Sequence, residues 1–341
     1  DTVLSNLLGD NAALHAWMLM RMPAWRECLD LAHVPLPSTS VAPETGSAGW
    51  HIPGGKRAQI DAFAAATGAP RAPVLEWCAG KGHLGRHYAR RWGVRVTSLE
   101  WDSTLCAEGR ALAKTAGVEQ DFVVGDVLAS VSACHLDGRH VVALHACGDL
   151  HRSLLRAAPG RAVALDLAPC CYYRSREARY TPFNPEADLP LSRDELHLPV
   201  TDTATAGARD RRLRDESMAR KLGYLAWFAD HTGKPRPPGL KPVPSAWNRL
   251  PFADYIQCMA GRDGLAADTG ASLASYSDEG WRRQREVMRL NLARLAFRRP
   301  LEVWLALDQA LHLERAGYRA TLTTFCPPTL TPRNLLVSAR A

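Results

Sequence analysis

From Pro73 onward, apolar residues come in short runs separated by amphipathic intervals. The runs at 74–77, 94–99, 121–124, 140–145 and 161–167 have strand length, and the intervals between them have helix periodicity. Strands that alternate with helices predict a parallel sheet covered on both faces. The alternation returns near the end, where a helix over 301–316 precedes YRATLTTFC and PRNLLVSAR, two more strands. Together these predict an α/β fold with a seven-stranded, mostly parallel sheet and helices on both faces. The stretch between the two groups is less regular and rich in Pro, Arg and Trp. It reads as an insertion, because the last two strands need a sheet to join; a separate C-terminal domain is the alternative.

Ahead of the alternation, Leu4, Leu7, Leu8, Leu14, Trp17, Met18, Trp25 and Leu29 are spaced for one or two packed helices. PLPSTSVAPETGSAG reads as a connector. Lys56 to Thr67 reads as a helix stopped by Gly68 and Pro70. The expected organisation is a helical N-terminal extension over 1–70 and a cofactor-binding half over 71–175. An insertion for substrate recognition follows over 176–300, and 301–341 completes the sheet.

Composition narrows the class. With 46% hydrophobic and 23% charged residues the chain is a globular protein, and runs such as VVALHAC fall far below the ~18–20 apolar residues of a membrane span. The start DTVLSNLL carries an acid where a signal peptide is basic. Nine cysteines, with no CxxC pair, suit reduced thiols in the cytoplasm. The formal charge is +7, and only six of the 42 basic residues are lysine. Residues 209–241 hold nine Lys/Arg against four Asp/Glu, and residues 281–300 hold seven against one. Basic charge gathered in this way suits an anionic partner such as RNA, whereas two solvated helix faces would give the same count.

Candidate chemistry starts at VLEWCAGKGHLG, residues 74–85. Gly80, Gly82 and Gly85 allow close backbone approach to a ligand at a strand-to-helix turn, and the GxxxxGK[ST] of a P-loop is absent. Glu76 precedes the turn, where a carboxylate repels pyrophosphate and attracts an amino group. Glu100 ends the second strand, where an acid accepts ribose hydroxyls, and Asp126 follows the third, within reach of an adenine amino group. Three acids in that order form the layout of an S-adenosylmethionine site. The expected cofactor-binding set is Glu76, Cys78, Gly80, Lys81, Gly82, Glu100, Trp101, Asp126, Val127 and His145.

Further motifs follow in order: EWCAGKGHLG, LHACGDLHRSLL, APCCYY and TPRNLLV. Over 55–175 and 301–341 the chain resembles the methyltransferase-like family with a Cys-Cys-Tyr-His element. That family includes the glutathione S-transferase C-terminal-domain-containing protein. More distantly, the chain is similar to the tRNA 2′-O-methyltransferase of the acceptor stem. The resemblance implies a class I Rossmann-like methyltransferase, S-adenosylmethionine as cofactor and RNA, tRNA foremost, as substrate. Two positions depart from the pattern: Cys78 stands where the family often has glycine, and Tyr173 replaces the histidine.

Reacting groups gather at the carboxyl ends of the central strands of such sheets. His145, Asp149, Cys170, Cys171 and Tyr172 are therefore the catalytic candidates. His145 suits a general base, and Asp149 either orients an amino group or caps the next helix. Cys170 and Cys171 offer a thiolate nucleophile, although the pair follows the fifth strand instead of the fourth, and lining the substrate site is the alternative. No metal is expected, since Cys147, Cys170, Cys171 and a histidine lack ligand spacing. Tyr173 for stacking, Arg282, Arg283 and Arg333 for an anion, and Asn334 are the substrate-binding candidates. A small-molecule or protein acceptor, or a non-catalytic adapter binding cofactor and RNA, are the competing readings.

Overall fold

Seven strands form one sheet in the order β3-β2-β1-β4-β5-β7-β6. They are β1 (Val74–Trp77), β2 (Val96–Glu100), β3 (Gln120–Val124), β4 (His140–Cys147), β5 (Ala164–Cys170), β6 (Arg319–Thr324) and β7 (Leu335–Arg340). The first five pair in parallel, and β7 runs antiparallel to its neighbours β5 and β6. This is the expected class I methyltransferase arrangement. The computed structural model describes residues 2–36, 52, 54–200, 208–235, 242–267 and 273–341. The predicted connector falls mostly on 37–49, outside the described residues.

Alternation along the strands decides what each face meets. Leu75, Leu99, Val141, Leu165 and Val337 point to one side, where α7 (Asp149–Ala157) and α11 (Arg298–Arg315) cover them. Val74, Val96, Val142 and Leu336 point to the other, under α4 (Gly54–Thr67) and α5 (His83–Trp92). Each fully buried Leu or Val contributes about 1.5–3 kcal/mol. The sheet core is thus dry on both faces, and polar chemistry is left to the strand ends. Buried polar groups occur too: at the amino end Asp166 accepts from His140 Nε2 at 2.7 Å, from Ser338 and from Arg340. The Arg71 backbone N–H donates to His140 Nδ1, which leaves the ring proton on Nε2.

The chain divides into two compact units. The sheet unit comprises Leu19–Thr205 and Phe297–Ala341, and the helical unit comprises Asp1–Met18 with Ala206–Ala296. These units are bounded differently from the expected segments. The first residues form three helices, α1 (Thr2–Gly9), α2 (Asn11–Arg21) and α3 (Trp25–Ala32). Of these, α1 packs on α10 (Leu273–Ala296) in the helical unit, whereas α3 packs on α11 in the sheet unit. Residues 176–200 also stay with the sheet unit, held by buried Asp308 on α11. Its carboxylate accepts from Tyr180 Oη at 2.7 Å, from the backbone N–H of Phe183 and Asn184, and from Asn184 Nδ2. The insertion that folds apart is 206–296.

In the helical unit, α8 (Ala208–Thr232) and α10 meet at Gly223 and Gly280. A Cβ on Gly280 would sit 2.3 Å from the Ala219 carbonyl oxygen, so only glycine admits this approach. Tyr224, Trp227, Tyr255, Ile256 and Met259 fill the core beside it. The basic stretch 281–300 is split by this division: Arg282 to Arg294 lie on α10, and Arg298 and Arg299 on α11 of the sheet unit. β5 starts three residues later than predicted, because Arg161 and Ala162 still bond back to Ala158.

Candidate functional site

A cavity of about 320 Å³ opens at the carboxyl ends of β1, β2 and β3. Cys78, Glu100, Trp101, Asp126 and Val127, all expected at the cofactor, line it together with Leu99 and Leu150. Leu99 and Val127 are buried and make an apolar wall, while Trp101 is 75% exposed at the rim. Glu100 is buried and accepts the Gly80 N–H at 2.8 Å on Oε2 and the Trp101 and Asp102 N–H groups at 3.1 Å on Oε1. A carboxylate offers about four lone-pair directions, so the backbone already takes three here. Asp126 is exposed and bonds the Leu128 N–H at 2.9 Å. An acid at each of two adjacent strand ends, beside an apolar slot, fits the ribose and adenine of S-adenosylmethionine.

The remaining cofactor candidates lie around this cavity in differing roles. Gly82 caps α5 in the left-handed region with φ +65°, against Phe122. Lys81 is ion-paired to Glu108 on α6 (Ser103–Ala116), which takes it away from a ligand. Glu76 faces a second, smaller cavity with Lys56 and His83. Its Oε2 accepts from Ser98 Oγ at 2.7 Å, and Gln120 Nε2 in turn donates to Ser98. Burial pushes the Glu76 carboxyl up to about 7, against the lowering effect of Ser98, the Gly85 N–H and Arg86.

Among the described residues, three other than glycine have positive φ: Cys78 at +57°, His145 at +62° and Cys171 at +47°. They lie at the carboxyl ends of β1, β4 and β5, which are adjacent in the sheet. Such conformations cost about 1–3 kcal/mol each, and here they gather at one edge of the sheet. Cys78 takes the left-handed conformation that favours glycine. His145 is the extra residue of a bulge, where the register slips between Leu144 and Ala146. The slip turns its ring toward α4, and Nε2 donates to Gln59 Oε1 at 3.0 Å. Nδ1 is therefore the lone-pair nitrogen, buried and without a hydrogen-bond partner. Burial, with Arg333 and Lys56 nearby, lowers the ring to about 4, so it is neutral at pH 7. Gln59 was not expected; a lone glutamine on a helix carries no motif.

Gly148 shapes the next turn. A Cβ there would lie 1.9 Å from the Arg174 carbonyl oxygen, so glycine alone lets the chain after β5 cross over the end of β4. The crossing brings together the Sγ atoms of Cys147, Cys170 and Cys171, all within 4.8 Å of one another. Hydrogen bonds from Cys147 and Cys170, helped by Arg174 and Arg333, drive the Cys171 thiol down, whereas Cys170 is driven up.

Other expectations are corrected here. Tyr172 is 2% exposed and packs with Tyr180, Leu191 and Leu305, so its ring is core and not a reacting group. Asp149 accepts the Arg176 N–H at 2.8 Å and pins the crossing segment. Asn334 is buried and bonds the Cys326 carbonyl, tying the loop between β6 and β7. Tyr173 stacks on His197 with ring centroids 3.8 Å apart. Arg333 donates to the Val200 carbonyl at 2.9 Å. In the helical unit, exposed Arg282 and half-buried Arg283 share Glu279, and Arg282 also meets Glu286 at 3.3 Å. Arg282 and then Arg283 hold the Glu279 carboxyl down at about 2. The sequence count missed Glu279 because it lies two residues before the basic window.

Residues 58–178, about a third of the chain, match the family described as a methyltransferase domain. Among solved structures, an RNA methyltransferase from Salinibacter ruber in complex with S-adenosyl-L-homocysteine is 20% identical, over 37% of this chain and 80% of that one, with a TM-score of 0.29. A glycopeptide N-methyltransferase complexed with sinefungin is 23% identical, over 37% of this chain and 59% of that one, with a TM-score of 0.28. A protein from work on conversion of a disulfide bond into a thioacetal group in echinomycin biosynthesis is 22% identical over 29% of this chain, with a TM-score of 0.26; this chain spans 45% of its length. The matched domain and the cavity at its strand ends make S-adenosylmethionine the cofactor. Among the described residues, no helix is long and apolar enough to cross a membrane.

Proposed function

We propose that this chain is an S-adenosylmethionine-dependent methyltransferase acting on RNA, with tRNA as the favoured class and the cytoplasm as its compartment. The observation that carries the methyltransferase reading is the cavity bounded by Glu100 and Asp126 within the matched domain. The cofactor supplies an electrophilic methyl group. Around it, the Glu100 carboxylate orients the ribose side, Leu99, Val127 and Leu150 exclude water, and Trp101 stands at the rim as an aromatic surface. In this reading His145, neutral at pH 7 and held by its bond to Gln59, is the candidate general base. Arg333 lies close enough to His145 to lower its pKa, and it gives that end of the site positive charge for an anionic acceptor.

RNA is supported by the basic excess of the insertion, where sixteen Lys/Arg face ten Asp/Glu over 206–296. The resemblance to the tRNA acceptor-stem enzyme favours tRNA within that class. Nine free cysteines suit a reducing compartment. A small-molecule or protein acceptor is the second reading, favoured by the pairing of Arg282 and Arg283 to Glu279.

Calorimetry should show the cofactor binding to the wild-type protein, and Glu100→Gln weakening it by about 1–3 kcal/mol. Label from the methyl donor should enter total RNA, in a fraction destroyed by ribonuclease and spared by protease. Transfer should fall steeply with salt, by a log–log slope of about −0.7 to −0.9 per phosphate contacted. No cofactor binding at millimolar concentration sinks the enzyme reading. Label only in protein or in small molecules sinks the RNA reading alone.

A further inference from the structure

Three sulfurs stand together at the ends of β4 and β5, and neither the cofactor cavity nor His145 uses them. The Sγ atoms of Cys147 and Cys170 are 3.4 Å apart, and Cys171 Sγ lies within 4.8 Å of both. The fold builds this grouping in three steps. Cys147 and Cys170 are register partners on adjacent parallel strands. Gly148 allows the following segment to cross, and Cys171 turns back through its left-handed φ of +47°. Strain of that kind persists only where the surrounding structure over-determines it. Cys170 is 3% exposed and forms the floor, whereas Cys147 and Cys171 are half-buried.

We propose that this cluster binds one thiophilic divalent cation of the zinc class through three thiolates, with the fourth coordination position open. Zinc–thiolate bonds of about 2.3 Å in a tetrahedron put sulfurs about 3.8 Å apart. The present separations, from 3.4 Å to at most 4.8 Å, bracket that value. Side-chain rotation alone therefore closes the triangle on an ion. Sulfur ligands select a soft cation over magnesium or calcium. Among the described residues, the group holds no fourth cysteine, histidine or carboxylate. Three protein ligands with an accessible face are the pattern of a reactive metal centre and not of a closed structural one. Arg174 and Arg333 lie near enough to offset the excess negative charge of three thiolates on a divalent ion.

The test is a titration of the full chain, reduced and stripped of metal, with cadmium alone and then zinc. Thiolate-to-cadmium charge-transfer absorption should rise to one equivalent and be displaced by zinc. Bound zinc should protect Cys147, Cys170 and Cys171 from alkylation, as read by peptide mass spectrometry. Cys147→Ser and Cys171→Ser should each lose about tenfold or more in affinity, while Cys134→Ser, at an exposed thiol elsewhere, leaves the titration unchanged. With cobalt bound, a small thiol should shift the visible spectrum by entering the open position. No charge-transfer band at stoichiometric cadmium, or equal alkylation of the three thiols with and without zinc, overturns the site. An unchanged cobalt spectrum overturns the open position. The protection readout uses the wild-type chain, so it holds even where a serine variant fails to fold. It also needs no methyl donor, so its failure leaves the methyltransferase reading untouched.

Discussion

Replacing Glu76 by Gln should stabilise the protein at neutral pH, although Glu76 heads the glycine-rich turn. Burial raises its carboxyl from 4.5 to about 7 in the folded chain. Between those values the folded state holds a proton that the unfolded state has released, so stability falls as pH rises. The contribution is complete below about 4.5 and is lost as pH passes through 7. A difference of about 2.5 units at 1.36 kcal/mol each amounts to roughly 3 kcal/mol. Gln keeps the shape and can still accept from Ser98 Oγ and the Gly85 N–H, but it carries no charge to desolvate. Relative to wild type, Glu76→Gln should therefore gain about 3 kcal/mol between pH 4.5 and pH 8, at about 1.4 kcal/mol per pH unit across the window. Urea unfolding without cofactor, followed by hydrogen exchange of the β1 and β2 peptides, reads the sheet unit separately from the helical one. A gap between variant and wild type that stays constant from pH 4.5 to 8, or a variant less stable at pH 8, refutes the account.

Cys78→Gly should raise stability by about 1 kcal/mol, because glycine takes φ +57° without strain; a thermal melt checks this, and a lower melting temperature counts against strain at this turn. Asp308→Ala should cost about 3–5 kcal/mol, since it leaves the Tyr180 hydroxyl and the backbone donors of Phe183 and Asn184 unpaired in a buried site. A loss under 1 kcal/mol in denaturant unfolding would show that segment 180–184 is held by packing alone.

The strands themselves were legible because hydrophobic runs such as 74–77 and 140–145 have strand length and end near where the observed strands end. The acids Glu100 and Asp126 were legible for the same reason: position at a strand end is a property of sequence. What escaped depends on register. Cys147 and Cys170 are far apart along the chain, and their contact exists only because β4 and β5 pair with one residue bulged out. The bulge also decides where His145 points, and no local pattern announces it. Tyr172 was misjudged for a related reason: the crossing over Gly148 turns it under the sheet unit, so a residue beside Cys171 is core. Arg282 and Arg283 looked like a phosphate surface until the helix placed Glu279 one turn away.

The pairing of α1 with α10 sets an order on synthesis. α1 leaves the ribosome about 270 residues before its partner helix begins. At roughly 5–20 residues per second, that interval is on the order of ten seconds to a minute. Through that time Leu7, Leu14 and Met18, all buried in the finished chain, have no cover from 206–296. The parallel strands β1 to β5 can pair meanwhile, but β5 keeps an open edge until β7 arrives at the end. Both units therefore close late, and until then the nascent chain carries an uncovered apolar helix and a bare strand edge. Its dependence on chaperones during translation should exceed what the stability of the folded product suggests.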